Sequence, residues 1–444
     1  MSDQILITGG TLIDGTGAEP APATDVLVEP DRSVAVGQEA ASSAESGAIA
    51  VDAAGKTVLP GLIDAHVHCT FDDVASNDEL FFHREPTIAA LSTARNLEKI
   101  LRAGVTSIMD PDTVFGMGPA IRDAVDAGLI EGPRVSTGVQ ALLTSVGGTA
   151  GRLIPDEGTV GYAQIVNTVE EMVIWTRRHI KQGADWIKIH ATGSIPTKPG
   201  ELAVWSEHEM KAVCDAAHEL GVPVTAHCRN AESVTWAARA GVDLILHASF
   251  MDDEGLEAVL ANGSAICPTF TFLANLADFG STVEASPGME DIFRGEIAAT
   301  GKMMRKAYDA GVPILCGSES GFALTPYGHW HGREMEVLID ALDLTPLQAI
   351  TCATRNNAMA MRAEDRLGTV EPGRLADVIV VDGDPLTDIR ILNDRRSMHA
   401  VISRGSLVDL DRPWPEWQPV KGWKVSAWAA RSLTHETAYG SELP

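Results

Sequence analysis

Residues 59–71 read LPGLIDAHVHCTF, and the fold follows from how this stretch is interpreted. Leu62, Ile63, Ala65 and Val67 are apolar or small, as a strand buried on both faces requires. His66 and His68 lie two apart, so on a strand both imidazoles point to one side. Two imidazoles side by side at a strand's C-terminal end can hold one metal ion through ring nitrogens. Asp64 shares that face and is placed to orient a ligand or a substrate from behind. A His-x-His pair alone is more often two surface histidines, so the metal reading needs further ligands from the rest of the chain.

Working outward, the middle of the chain alternates between strand and helix patterns. Strand candidates cover 62–68, 105–109, 134–139, 186–190, 222–227, 244–247, 265–268 and 312–317. Helical stretches at 86–103, 169–182, 206–220, 231–240 and 252–261 separate most of them. A recurring Gly-Val step (Gly104, Gly221, Gly241 and Gly311) reads as a helix C-cap glycine handing over to a strand. Eight strand–helix units close a parallel barrel, which predicts an α/β chain built on a (β/α)8 TIM barrel with function at the strands' C-terminal ends. Residues 1–58 read as short strands and turns, with 37–49 as an exposed loop. A second β-rich stretch follows residue 367. The expectation is a small β-sandwich domain assembled from residues 1–58 and 368–444, flanking a barrel domain over 59–367.

The barrel strand ends carry chemistry. Lys188 stands mid-strand in DWIKIHATGS, where a solvated lysine would be out of character. His227 ends PVTAH, His247 ends LILH, and Glu319 follows PILCGS. Each has an ordinary structural reading; together they give four histidines, a lysine and a carboxylate at predicted strand ends.

These segments resemble the amidohydrolase superfamily of metal-dependent hydrolases from end to end. The resemblance rests on ILITGGTLIDGTG, PGLIDAHVH, KIHATGS, the TAH and LH strands, and DRLGTVEPGRLADVIVVDGDPL. The chain is most similar to the imidazolonepropionase and prolidase-like members, and TPYGHWHGRE (325–334) looks like the group with phenylurea and molinate hydrolases. The resemblance implies that His66 and His68 bind one divalent metal and His227 and His247 a second. It implies that Lys188 is carbamylated by carbon dioxide to bridge them, and that Glu319 is a metal-facing proton shuttle whose pKa is held down by cations. Zinc is the expected metal, with cobalt or manganese able to use the same ligands and one or two ions per chain. A metal-activated hydroxide would then hydrolyse a C–N bond in an amide, urea or carbamate such as a phenylurea. An Xaa-Pro-type dipeptidase, an N-acyl amino acid hydrolase and a cyclic amidase stay open. A mononuclear deaminase and a barrel without catalysis, kept for binding or assembly, are disfavoured by Lys188 and the full ligand set.

Two positions depart from the pattern. Glu319 in GSESG stands where GTDSG is usual, and Arg229 in AHCRN where relatives commonly carry histidine. Arg229 makes either a structural salt bridge or a contact with a substrate carboxylate or carbonyl. His190, His329 and His331 are further candidates for substrate contact. Trp414, Trp417, Trp423 and Trp428 give the C-terminal tail an apolar load suited to packing.

Composition bounds the partners. A formal net charge of -27 over 444 residues argues against nucleic acid and anionic membrane surfaces, leaving a small-molecule substrate. No apolar run approaches a membrane span, and residues 1–11 lack a basic-then-apolar leader pattern. Six scattered cysteines without paired spacing suit reduced thiols, so a cytoplasmic location is expected, as is a homo-oligomer.

Overall fold

The computed structural model describes residues 4–75, 85–147, 154–156, 161–194, 200–285, 287–415 and 432–440. Barrel strand one, Leu62–Asp64, pairs in parallel with Val105–Asp110, which pairs with Arg134–Thr137. The third strand then breaks. A Cβ at Gly138 would stand 1.8 Å from the Pro111 carbonyl oxygen, so only glycine lets the two segments pass. The chain resumes as Ala141–Leu143 beside Ile187–His190, followed by Val224–Cys228, Leu244–His247 and Ala265–Cys267. The expected eighth strand is held by a bridge between Ile266 and Ile314, and by bonds from Leu315 N to Ile266 O (2.8 Å) and from Ala65 N to Cys316 O (2.9 Å). The last bond returns the sheet to strand one and closes the barrel.

The helices sit where capping chemistry puts them. Val169–Gln182 opens on a reciprocal Thr168–Glu171 capping box and Glu207–His218 on Ser206–Glu209. Ala231–Ala240 ends at Gly241 in the left-handed region (φ 101°), as the Gly-Val signal requires. Three elements over the cavity were not read from the sequence: a hairpin of Thr192–Ser194 and Glu201–Ala203, and the helices Phe270–Phe279 and Met289–Asp309.

The terminal strands form one hydrogen-bonded sheet. Its order is Ser406–Leu407, Met398–Ser403, Val378–Val381, Thr57–Pro60, Ile5–Leu12, Ala21–Glu29 and Arg32–Val36, with Ile49–Asp52 also beside Ile5–Leu12. Both termini therefore contribute to it. Val378 and Val380 join the sheet's own core, while Ile379 and Val381 join the barrel's, as a period-two strand buried on both sides must. The 37–49 region is not simply a loop: Gln38–Ser43 is helical, because Ala40 packs with Leu27 and Ala35. Trp414 lies under the Arg395 guanidinium, 4.1 Å from its ring centre. Trp417, Trp423 and Trp428 fall outside the described residues. Among the described residues no helix is long and apolar enough to cross a membrane, and all six cysteines are free and buried.

Candidate active site

At the C-terminal mouth of the barrel a cavity of about 320 Å³ is lined by His66, His68, Lys188, His227, His247 and Glu319. Adjacent strands bring these side chains together in register. His190 pairs with His227 across strands four and five, and Cys228 with His247 across five and six. The rings of His227 and His247 stand 4.5 Å apart, those of His66 and His68 5.0 Å, and those of His66 and His247 5.5 Å. One nitrogen each of His66 and His68 and one Glu319 carboxylate oxygen lie within 4.8 Å of one another.

The donor set fits metal ions. His66 Nδ1 contacts Thr269 Oγ1 at 3.1 Å, which fixes the ring, while its buried Nε2 has no hydrogen-bond partner among the described residues. His247 Nε2 is likewise buried and unpartnered, with Glu319 Oε1 4.0 Å away. Buried polar atoms are normally satisfied, so two orphaned imidazole nitrogens facing one space are what a cation would explain. The backbone agrees: His247, Thr269 and Glu319 hold left-handed conformations at φ 65°, 54° and 54°, strain of the kind that collects at functional sites.

Burial governs the charges. It holds His66 and His247 far below the ordinary imidazole range, with help from Lys188 and from His227 respectively, and brings His190 down to about 3. Neutral imidazoles are the form that binds metal. Burial also lowers Lys188, 1% exposed, against the opposing pull of Asp112. At Glu319 burial outweighs His68 and His227 and pushes the carboxyl above the usual range; the bound cations that the expectation invokes are a further charge, acting in the opposite direction.

Asp112, Glu201 and Glu296 were missed in the sequence. Asp112 is buried, with Oδ1 2.8 Å from His68 Nδ1 and Oδ2 3.3 Å from His190 Nε2 and 3.8 Å from Lys188 Nζ. Burial opposes its ionisation, but Lys188 and His68 win and hold it well below the usual carboxylate range. Its position two residues past the second strand was the available signal. Glu201 Oε2 stands 2.9 Å from His227 Nε2 and accepts from Thr192 Oγ1 at 2.6 Å. Neither Glu201 nor Glu296 had a sequence signal, since both reach in from elements outside the barrel strands.

Of the expected substrate contacts, Arg229 and His190 line the cavity and the other two do not. His331 Nδ1 is 2.8 Å from Asp64 Oδ2, and its Nε2 accepts from Gly328 N at 3.1 Å. Asp64 Oδ1 accepts from Ser318 N at 2.9 Å, so both residues brace the ends of strands one and eight. His329 is turned toward Trp414 and His435, with ring centres at 6.4 and 5.2 Å. The helix start at Arg333 directs the loop's histidines into packing instead of the cavity.

Comparison with known proteins follows the same lines. The sequence pattern described as the Amidohydrolase family matches residues 57–408. An ochratoxinase from Aspergillus niger is 28% identical over 373 residues, covering 79% of this chain and 75% of that protein. The crystal structure of an Xaa-Pro dipeptidase with bound methionine in its active site superposes with a TM-score of 0.79 at 27% identity, over 91% of this chain and 99% of the other. A molinate hydrolase shares the fold, with a TM-score of 0.77 at 23% identity over 95% of this chain and 98% of its own.

Proposed function

We propose, from the premise that the chain belongs to the amidohydrolase family and is a metal-dependent hydrolase of C–N bonds, that it cleaves an amide, urea or carbamate of a small substrate bearing an aromatic or bulky apolar group. The observation that carries this reading is the convergence of four histidines and Lys188 on a cavity whose outer wall includes Phe71, Phe272, Phe293 and Phe322. Divalent cations held by His66, His68, His227 and His247, with Lys188 carbamylated by carbon dioxide as a shared carboxylate ligand, would supply Lewis-acid polarisation of the scissile carbonyl and acidification of water. The imidazole-rich set suits zinc, with cobalt or manganese as alternatives.

The chain's own residues do the rest. Burial moves the Lys188 amine toward the neutral form that carbamylation needs. Glu319 takes the proton lost by the attacking water and delivers it to the leaving nitrogen. The phenylalanine wall seats the apolar group and keeps bulk water from the reacting carbonyl.

The test is a screen of aryl amides, ureas and carbamates with metal-quantified protein, beside Lys188→Ala and His227→Ala. Both variants should lose turnover. His227→Ala should also lower metal content, and small carboxylic acids should partly rescue Lys188→Ala. Unchanged metal content in His227→Ala, or an unmodified Lys188 ammonium in metal-loaded protein, would remove the assignment.

A further inference from the structure

We propose that this cavity selects electrically neutral substrates and rejects those with a free carboxylate near the scissile bond, because Arg229 is already neutralised by Glu296 and Glu201 of the chain itself. The inference deepens the hydrolase reading and rests on it. It decides between peptide-like substrates, which end in a carboxylate, and neutral amides, ureas and carbamates.

Four elements build the neutralised cation. Arg229 follows the fifth strand, and its Nη2 donates to both Glu296 oxygens at 2.7 and 2.9 Å while Nε donates to Oε1 at 3.2 Å. Its Nη1 donates to Glu201 Oε1 at 3.2 Å. Glu296 comes from the helix Met289–Asp309 and is 6% exposed; it accepts a further bond from Ser249 Oγ at 2.7 Å, just past the sixth strand. Glu201 comes from the hairpin after the fourth strand and is tied to His227 and Thr192 by its other oxygen. The guanidinium also lies over the Phe293 ring, 5.8 Å from its centre. Both counter-anions are therefore fixed, and the fork geometry that would grip a substrate carboxylate is used internally.

At Arg229 a substrate carboxylate has two ways in, and both are unfavourable. As a third anion around one cation it meets Glu201 and Glu296 in a water-poor wall, where like charges repel strongly. If it displaces Glu296, that buried carboxylate keeps, among the described residues, only Ser249, and stranding a buried charge is costly. Among the described residues the other ammonium or guanidinium at the cavity is Lys188, which faces Asp112 among the proposed metal ligands. A neutral ring or carbonyl meets none of these obstacles and gains the apolar surface of Phe272, Leu276, Met289 and Phe322.

Matched pairs test the idea with metal-loaded protein. One pair is N-benzoylphenylalanine and N-benzoylphenylalaninamide; the other is a phenylurea carrying a ring carboxylate and the same urea carrying a carboxamide. The neutral member should lead by roughly tenfold or more in kcat/KM, the size expected when one competitor must leave a charge unpaired. Glu296→Gln keeps the side-chain shape and removes one counter-charge, so the ratio should shrink or reverse in favour of the carboxylate. Glu296→Asp, which loosens the fork, should move it the same way if the Gln variant folds poorly. Equal or better turnover of the carboxylates by the unaltered protein overturns the proposal, as does an unchanged ratio in folded, metal-loaded variants. If no member of either pair is hydrolysed, the C–N hydrolase reading fails for these substrates. Calorimetric affinities of the same pairs then decide the charge question separately.

Discussion

At Glu319 the cavity presents a carboxylate on a longer side chain than the aspartate of the family pattern. Its backbone is left-handed at φ 54°, with its N–H donating to His66 O at 2.7 Å, so the carboxylate is aimed by the barrel closure itself. Glu319→Gln keeps the shape and removes the base. Steady-state turnover should fall by roughly 10²–10⁴-fold with metal content little changed, if general acid–base transfer is its task. Near-normal turnover would place the shuttle elsewhere. Glu319→Asp separates reach from charge: a large loss would mean the site is built for the longer arm. His66, His68, Lys188, His227, His247 and Glu319 were legible in the sequence because each sits on, ends or closely follows a short apolar segment, so position along the chain already fixed position in the fold. His329 and His331 misled because a loop's direction is set by what it packs on, here Asp64, Trp414 and His435. Asp112, Glu201 and Glu296 stayed hidden because their roles depend on partners distant in sequence.

The elements show the same division between local signals and tertiary ones. The helices read from the sequence announced themselves through Gly-Val handovers, which Phe270–Phe279 lacks, and strands through short apolar runs. The hairpin bearing Glu201 and the break at Gly138 had no such signal, since each exists only because another segment passes close by. The helix Val169–Gln182 offers a test of element-scale burial. Its His179 is 1% exposed, neither ring nitrogen has a partner among the described residues, and burial brings its pKa down to about 4. In the unfolded chain it titrates near 6.5. Between about pH 6.5 and 4 the unfolded state therefore holds more protons, so stability is full above pH 6.5 and falls as the solution is acidified. His179→Leu removes this titration while filling the site. Urea unfolding from pH 7.5 to 4.5 should show the unaltered protein losing about 2 kcal/mol more than the variant. Parallel stability curves would show that His179 is not neutral in the folded protein, or that it finds a partner.

At the scale of the whole molecule, the question is what fixes the terminal sheet to the barrel whose mouth holds the site. Apolar contact is part of the answer, since Ile379, Val381 and Val401 pack into the barrel core. A charged joint supplies the rest. Arg134 opens the third barrel strand, and its Nε donates to Asp377 Oδ2 at 2.9 Å while Nη2 donates to Asp31 Oδ1 at 2.5 Å. Asp31 is half exposed and contributes little. Asp377 is 5% exposed, and burial raises its carboxyl above the usual range in spite of Arg134; Ser403 Oγ and Arg404 N are its other donors. Arg134→Leu would leave that carboxylate buried without its counter-charge, which should cost about 3–5 kcal/mol in urea unfolding. The loss belongs to the stranded charge more than to the missing bond, and a double-mutant cycle can tell these apart. Asp377→Asn keeps the shape and the bond from Ser403 without the charge, so Arg134→Leu with Asp377→Asn should recover most of the stability lost by Arg134→Leu alone. A double variant as unstable as the single one would mean that Arg134 acts through its packing stem, and that the joint between sheet and barrel is apolar throughout.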